Sequence, residues 1–346
     1  MSASLLRQAR EGTPIVADGT ATFVWQGAEA PQLVGDFSGW ERGKPVTLTQ
    51  AGPEVWTHSL ELPGDAYIEY AYWQDGERVA DPLNPQTLPD GIGHTHHFFW
   101  MPAASPTRLT RSQRHVPRGT VTRHTLEHSF LLAGGKRTVL LYQPPVTDPC
   151  PLLVVLDGQD YRPRGRLVQI VDNLIAQDRI RPLALAMIYH AGQARGVEYS
   201  CSEAHLSALL RLLLPLAQSE LQLLDLAERP GAHGIMGASM GGLMALFAGL
   251  RHPQVFGQVL SQSGSFVMGD EDTVVWDLVR QGPVRPLKVW MDVGRFEWLL
   301  QTNQRMYDLL AARGYEVTYR EFNGGHNYTS WRNDLWRGLE ALYGTS

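Results

Sequence analysis

The tightest constraint on this chain is five residues long. Gly237-Ala238-Ser239-Met240-Gly241 reads Gly-x-Ser-x-Gly, and Gly242 follows it. Ahead of it, a short run ending in Ile235 and Met236 reads as a buried strand. Behind it, Met240 to Leu250 reads as a helix that begins on small residues. A serine on a sharp strand-to-helix turn is held in a strained backbone, with its hydroxyl presented to a pocket. The glycines suit the close approach of chain on both sides of that turn. The competing reading is coincidence, since the chain holds 34 glycines. The apolar strand before the motif and the amphipathic helix after it argue against coincidence.

The surrounding sequence repeats the same strand-and-helix alternation. PLLVVLD (151–157), PLALAMIY (182–189), FGQVLSQSG (256–264), PLKVWMDVG (286–294) and EVTYREF (316–322) are the candidate strands. Continuous apolar runs of this kind are typical of a mostly parallel sheet covered by helices on both faces. Helices are expected over 166–177, over 204–222 with a kink at Pro215, over 299–313, and after the loop that opens 324–343. A β-hairpin across 121–145, alternating through Leu126, His128 and Phe130 and turning at Gly134-Gly135, precedes them.

The first hundred residues follow a different pattern. From 15 to about 103, short alternating strands are punctuated by turns, and Asp75-Gly76 is a tight-hairpin signal. HTHHFFWMP (94–102) closes what reads as an all-β sandwich. The polar, basic, proline-flanked stretch after it is the expected linker. The expected organisation is a sandwich over 1–105, a linker over 106–119 and an α/β domain over 120–346. His94, His96 and His97 invite a metal site. With no further ligand nearby, a surface or interdomain cluster is the expectation, and no metal is expected. Trp40, Trp56 and Trp73 suggest either a sugar-stacking platform or packing of the sandwich core.

Composition narrows the function classes. A net charge of −5 and a pI near 6.2 argue against a nucleic-acid binder, which needs a basic face. Cys150 and Cys201 make no disulfide framework, and a reducing compartment is the simple reading. No apolar run approaches the ~20 residues of a membrane span, and the N-terminus lacks a leader's apolar core. The cytoplasm is therefore the expected location. A homodimer through an exposed sandwich edge is a candidate assembly.

Serine-mediated ester hydrolysis needs a nucleophile, a base and an orienting acid. On a strand–turn–helix elbow of this type the chain order is Ser, then Asp or Glu, then His. Ser239 comes first. His326, in Gly324-Gly325-His326, is the chain's last histidine and lies just beyond the final strand. Two acids compete for the third role. Glu297, in the loop leading into the next helix, is preferred; Asp292, at the strand end, is the alternative. The oxyanion hole is expected from the amides of Met240 and Gln159, the latter in the loop Asp157-Gly158-Gln159-Asp160-Tyr161. Gly158, Tyr161 and Trp331 are the candidates for substrate contact.

At these residues the chain resembles the enterochelin esterase and esterase D-like branch of the α/β hydrolases. The resemblance rests on LLVVLDGQDY, RGVEY (195–199), LLLPL (212–216), IMGASMGGLMAL, HPQVFGQVLSQSGSF and GGHNYTSWRNDLWRGLEAL. GDFSGW (35–40), VWTHSLELP and YAYWQDG with the following ADPLNP resemble the early-set immunoglobulin-like modules that precede such domains. The resemblance implies an α/β hydrolase behind an immunoglobulin-like sandwich. It matches Ser239 and His326 to the catalytic pair, Glu297 to the acid, Asp157-Gly158-Gln159 to the oxyanion loop and Arg195 to a substrate-contacting pocket arginine, for which support of the adjacent loop or a pair with Glu198 is the rival reading. It also implies a small-molecule ester substrate, namely the lactone bonds of a ferric catecholate siderophore, with iron as part of the substrate and no cofactor. The alternative substrate is a feruloyl or acetyl ester of a carbohydrate, with the sandwich contacting sugar.

Overall fold

A computed structural model describes residues 2–91 and 93–345. The chain divides into two compact units. The first takes the residues up to Pro106 together with two later loops, Gly294–Trp298 and Glu321–Ser330. The second takes Thr107–Val293, Leu299–Arg320 and the residues from Trp331 onward.

The first unit is antiparallel throughout its two main sheets. One sheet runs Ile15–Ala17, Thr20–Gln26, Val55–Glu61, Thr49–Gly52. The other runs Val46–Thr47, Gln32–Gly35, Tyr67–Gln74, Thr95–Trp100, Thr87–Pro89, with Glu77–Val79 paired to Tyr67–Gln74. The hairpin at Asp75-Gly76 has both turn residues at positive φ, 53° and 85°, the backbone that matches strand twist. Phe23 from the first sheet meets Tyr70 and Phe99 from the second edge-on, at 4.9 and 5.7 Å between ring centres. That aromatic layer, with Leu33, Ile68 and Tyr72, is the sandwich core. A helix, Ser2–Glu11, precedes the strands.

Trp56 packs against the sandwich core, and two of the three clustered histidines are buried. Trp56 and Trp73 lie in different sheets, and Trp40 lies in a 3-10 turn, so the three form no common platform. The indole N–H of Trp40 goes to Asp36 and that of Trp56 to the Gly27 carbonyl. His96 and His97 are buried rather than on the surface. His96 Nδ1 lies 2.9 Å from Glu69. His97 accepts the Asp81 N–H at 2.8 Å and reaches the Asn84 carbonyl with its other nitrogen.

The second unit is built on an eight-stranded sheet. Its order is Thr120–Glu127, Lys136–Gln143, Ala184–Ile188, Leu152–Val155, His233–Ala238, Phe256–Gln262, Lys288–Gly294, Glu316–Phe322. The first two strands pair antiparallel with their neighbours, and the next five are mutually parallel. Every residue of Leu152–Val155, Ala184–Ile188 and His233–Ala238 is buried, as expected for strands covered on both faces. The hairpin strand stops at Glu127, short of His128 and Phe130. There His128 N–H bonds the Gly135 carbonyl, and Phe130 is left 89% exposed. The helix expected over 204–222 is three pieces: Glu203–Ala208, a π-helical stretch Leu209–Leu213, and Leu214–Glu220. Pro215 lies just beyond the π-helical stretch, and the backbone stays helical through the junction at Leu213 and Leu214. Among the described residues, no helix is long and apolar enough to cross a membrane.

Candidate active site

The second unit carries the elbow. The strand His233–Ala238 ends at Ser239, whose φ of 59° lies in the left-handed region that non-glycine residues avoid. Three bonds hold it there. Its N–H donates to the Gln262 carbonyl at 2.9 Å. Its carbonyl accepts from Leu243 at 3.1 Å and from Ser265 at 3.0 Å. The glycine requirement is steric: a Cβ on Gly237 would lie 2.5 Å from the Gly241 carbonyl carbon, and one on Gly242 would lie 2.6 Å from Ser261 Oγ. The helix Met240–Arg251 starts immediately. The Met240 amide is thus among the first-turn N–H groups that lack an intrahelical acceptor, at the positive end of the helix.

The loop after Leu152–Val155 lies in the same unit. Asp157 is itself at positive φ, 56°, and its N–H bonds the Tyr199 hydroxyl at 3.1 Å. Arg195 grips the Asp157 carboxylate with two bonds, 2.8 Å from Nε and 2.7 Å from Nη2. Glu198, its rival partner, pairs instead with Arg137 at 2.6 Å. The Arg195 side chain is thus tied to the loop that carries Asp157. Gly158 packs so closely on Met187 that a Cβ would lie 2.6 Å from the Met187 carbonyl carbon. The Gln159 side chain is tied at both ends, to His190 N–H and to Asp160. Its amide lies in the first turn of the short helix Gly158–Tyr161.

Tyr161 and Trp331 are corrected as substrate contacts. Tyr161 is fully buried and its hydroxyl donates to Gln262 Oε1 at 2.9 Å. Trp331 is 5% exposed and its indole N–H donates to Ser263 Oγ at 2.9 Å. Both belong to a buried polar frame centred on Gln262, which no sequence motif announces. Gln262 also donates to Asp292 at 3.1 Å and to the Trp331 carbonyl at 3.2 Å. Asp292 is fully buried in this frame and accepts the Trp290 indole N–H at 2.8 Å.

The first unit carries His326 and Glu297. His326 Nδ1 lies 2.6 Å from Glu297 Oε2, and the Glu297 side chain is fully shielded from water. The other Glu297 oxygen accepts the Gly294 N–H at 2.8 Å. A carboxylate on Nδ1 orients the ring and leaves Nε2 to handle a proton. The two loops are laced together, Arg295 N–H to the Phe322 carbonyl at 2.9 Å and Phe296 N–H to the Gly324 carbonyl at 3.2 Å.

The sandwich itself braces these loops. Tyr67 N–H donates to the Asn323 carbonyl at 3.0 Å, and Asn323 donates to Asp65 at 2.6 Å. Asp36 is buried beneath Gly325, where any Cβ would strike its carboxyl group. It accepts the Glu69 N–H at 2.8 Å and the Trp40 indole at 3.0 Å, with Asn327 Nδ2 at 3.5 Å. Burial, then the neighbouring Glu69 carboxylate, pushes the Asp36 carboxyl well above the usual carboxylate range. Asp36, Asn323 and Asn327 were not legible as site residues, because their partners are hundreds of positions away. GDFSGW was visible only as a module signature.

The family model described as putative esterase matches residues 132–342. The iron(III) enterobactin esterase of Dickeya dadantii is 31% identical, over 93% of this chain and 77% of that protein. The iron(III) salmochelin esterase of Escherichia coli is 27% identical, over 93% of this chain and 87% of that protein. The crystal structure of the ferric enterobactin esterase from Salmonella typhimurium superposes with a TM-score of 0.78 at 25% identity, covering 93% of each chain. The architecture of this chain, an antiparallel β domain ahead of a mixed-sheet α/β domain, matches that of the Salmonella structure. The chain belongs to the esterase family of α/β hydrolases, in the serine-type branch that includes the iron(III) enterobactin esterases.

Proposed function

We propose that this esterase opens the lactone bonds of a ferric catecholate siderophore, with Ser239 as nucleophile, His326 as base and Glu297 as the acid that orients it. The observation that carries the residue assignment is the buried Glu297 carboxylate 2.6 Å from His326 Nδ1. The substrate reading rests on the enterobactin and salmochelin esterases that align with almost the whole chain.

The chemistry follows from the groups in hand. His326 Nε2 takes the Ser239 proton as Oγ attacks the ester carbonyl. The imidazolium that results is stabilised by Glu297. Negative charge on the carbonyl oxygen is met by the amides of Met240 and Gln159. The tetrahedral intermediate collapses, His326 returns the proton to the leaving alcohol, and an acyl-Ser239 remains. Water, deprotonated by His326, then releases the acid. A trilactone is opened by successive rounds of the same cycle. Iron enters as part of the substrate. Gly158 sets the path of the oxyanion loop, and Arg195 fixes that loop through Asp157.

The same reading places the enzyme in the cytoplasm, which suits its two free cysteines. Burial pushes their thiols up, to about 11 at Cys150 and about 12 at Cys201, away from easy oxidation. A homodimer through a sandwich edge such as Thr49–Gly52 belongs to the same reading and is checked by sedimentation velocity.

Mass spectrometry of the products tests the function. Wild-type protein is expected to convert a ferric catecholate trilactone to linear trimer, dimer and monomer, and Ser239→Ala to leave it intact. Turnover of feruloyl or acetyl sugar esters in preference to the trilactone would replace the substrate reading.

A further inference from the structure

Among the described residues of the first unit, Trp298 is the one large hydrophobic side chain left exposed, at 40%. It is next to Glu297 in sequence, and its ring centre lies 4.6 Å from that of His326, tilted by 43°. The guanidinium carbon of Arg42 sits 4.1 Å from the Trp298 ring centre. Arg42 ends the 3-10 turn Trp40–Arg42 and is exposed, as is Lys44 just beyond it. Among the described residues, no carboxylate is paired with Arg42 or Lys44. An indole and a guanidinium are thus stacked in water beside the imidazole of the base, in a chain whose net charge is −5.

An indole face binds flat π-systems, and a guanidinium binds planar oxyanions through paired N–H groups. Together they suit one ligand class, an aromatic ring bearing negatively charged oxygens. Neither group is needed for attack, protonation or oxyanion stabilisation. An ester cleaved at His326 necessarily brings part of itself within a side chain's length of Trp298. We propose that Arg42 and Trp298 form the subsite for an anionic aryl group of the substrate, with the ring on the indole and its oxygens on the guanidinium. This rests on the assignment of His326 as the catalytic base, and it narrows the substrate to esters that carry an aryl anion. Catecholate rings held by iron(III) are of that class, as are aryl carboxylates, and the charge-and-ring recognition does not depend on iron.

Three serine methyl esters separate charge from ring: N-(4-carboxybenzoyl), N-benzoyl and N-acetyl. Arg42→Gln is expected to lower the preference for carboxybenzoyl over benzoyl about tenfold, chiefly through KM, because a charge-assisted contact is lost. Raising salt from about 0.05 to about 0.5 M is expected to erode the same preference in wild type and to leave Arg42→Gln indifferent. Trp298→Leu is expected to lower the preference for benzoyl over acetyl about fivefold, since stacking goes while bulk remains. Arg42→Lys restores part of the charge preference. Unchanged ratios overturn the proposal. So does an equal slowing of all three esters, which would mean that Trp298 acts only through His326. Calorimetric binding of the three free N-acyl serines reads the same ratios without turnover, so the subsite stands or falls even if the esterase assignment fails.

Discussion

Asp292, near the end of a strand, and Glu297, in the loop just beyond it, are both buried carboxylates, and their partners separate them. Glu297 touches His326, whereas Asp292 holds Trp290 and Gln262 in the frame under the elbow. Glu297→Gln is expected to lower kcat by about 10²–10⁴-fold with the fold intact, as loss of the orienting carboxylate does in other serine hydrolases. Asp292→Ala is expected to cost about 1–3 kcal/mol of stability by orphaning two buried donors. Esterase kinetics and urea unfolding on both variants check this, and the opposite pattern would move the acid role to Asp292. The ambiguity was real at the level of sequence. Spacing places both residues near the strand end, and only the backbone path shows which carboxylate meets the imidazole. Ser239 and His326 were legible because a glycine-flanked turn and a histidine past the last strand are local signals.

At the scale of elements, the helices and strands follow apolar periodicity, and the departures have physical causes. The π-helical stretch Leu209–Leu213 is invisible to a 3.6-residue pattern, and Trp40, Trp56 and Trp73 scatter because neighbouring strands join different sheets. Buried histidines give these elements a pH response. Burial, aided by Arg137, lowers His205 in the helix Glu203–Ala208 to about 4, and burial lowers His233 in the elbow strand to about 4. Unfolded, each takes a proton near pH 6.5. Between about pH 6.5 and 4 the unfolded chain therefore binds more protons. Stability is fully present above that window and is lost as pH falls through it, on the order of 3 kcal/mol for each histidine. Asp36, with its raised pKa, works in the opposite direction. The comparison that isolates the histidine is a flatter melting-temperature curve over this window for His205→Gln than for wild type. Identical slopes would contradict it.

At the scale of the whole molecule, segmentation by sequence and by compactness differ. The sequence reads as sandwich, linker and α/β domain, yet the loops Gly294–Trp298 and Glu321–Ser330 belong to the same compact unit as the sandwich. No composition shift marks that, because the bracing residues Asp36, Asp65 and Tyr67 act through contacts far along the chain. One consequence is that His326 and Glu297 depend on the sandwich core. Phe23→Ala, which empties a fully buried ring site, is expected to cost about 3–5 kcal/mol in that unit. In a urea titration, esterase activity should disappear with the sandwich transition, ahead of any loss of the second unit's helical signal. Activity that outlasts sandwich unfolding would show that the pair stands without it.

The assignment of Ser239 as a nucleophile driven by His326 is tested most directly by covalent capture. Protein treated with a fluorophosphonate is digested and mapped by mass spectrometry. The expected result is a single adduct on Ser239 in wild type, formed far more slowly in His326→Ala. An adduct on another residue, or undiminished labelling of Ser239 in His326→Ala, would contradict the account.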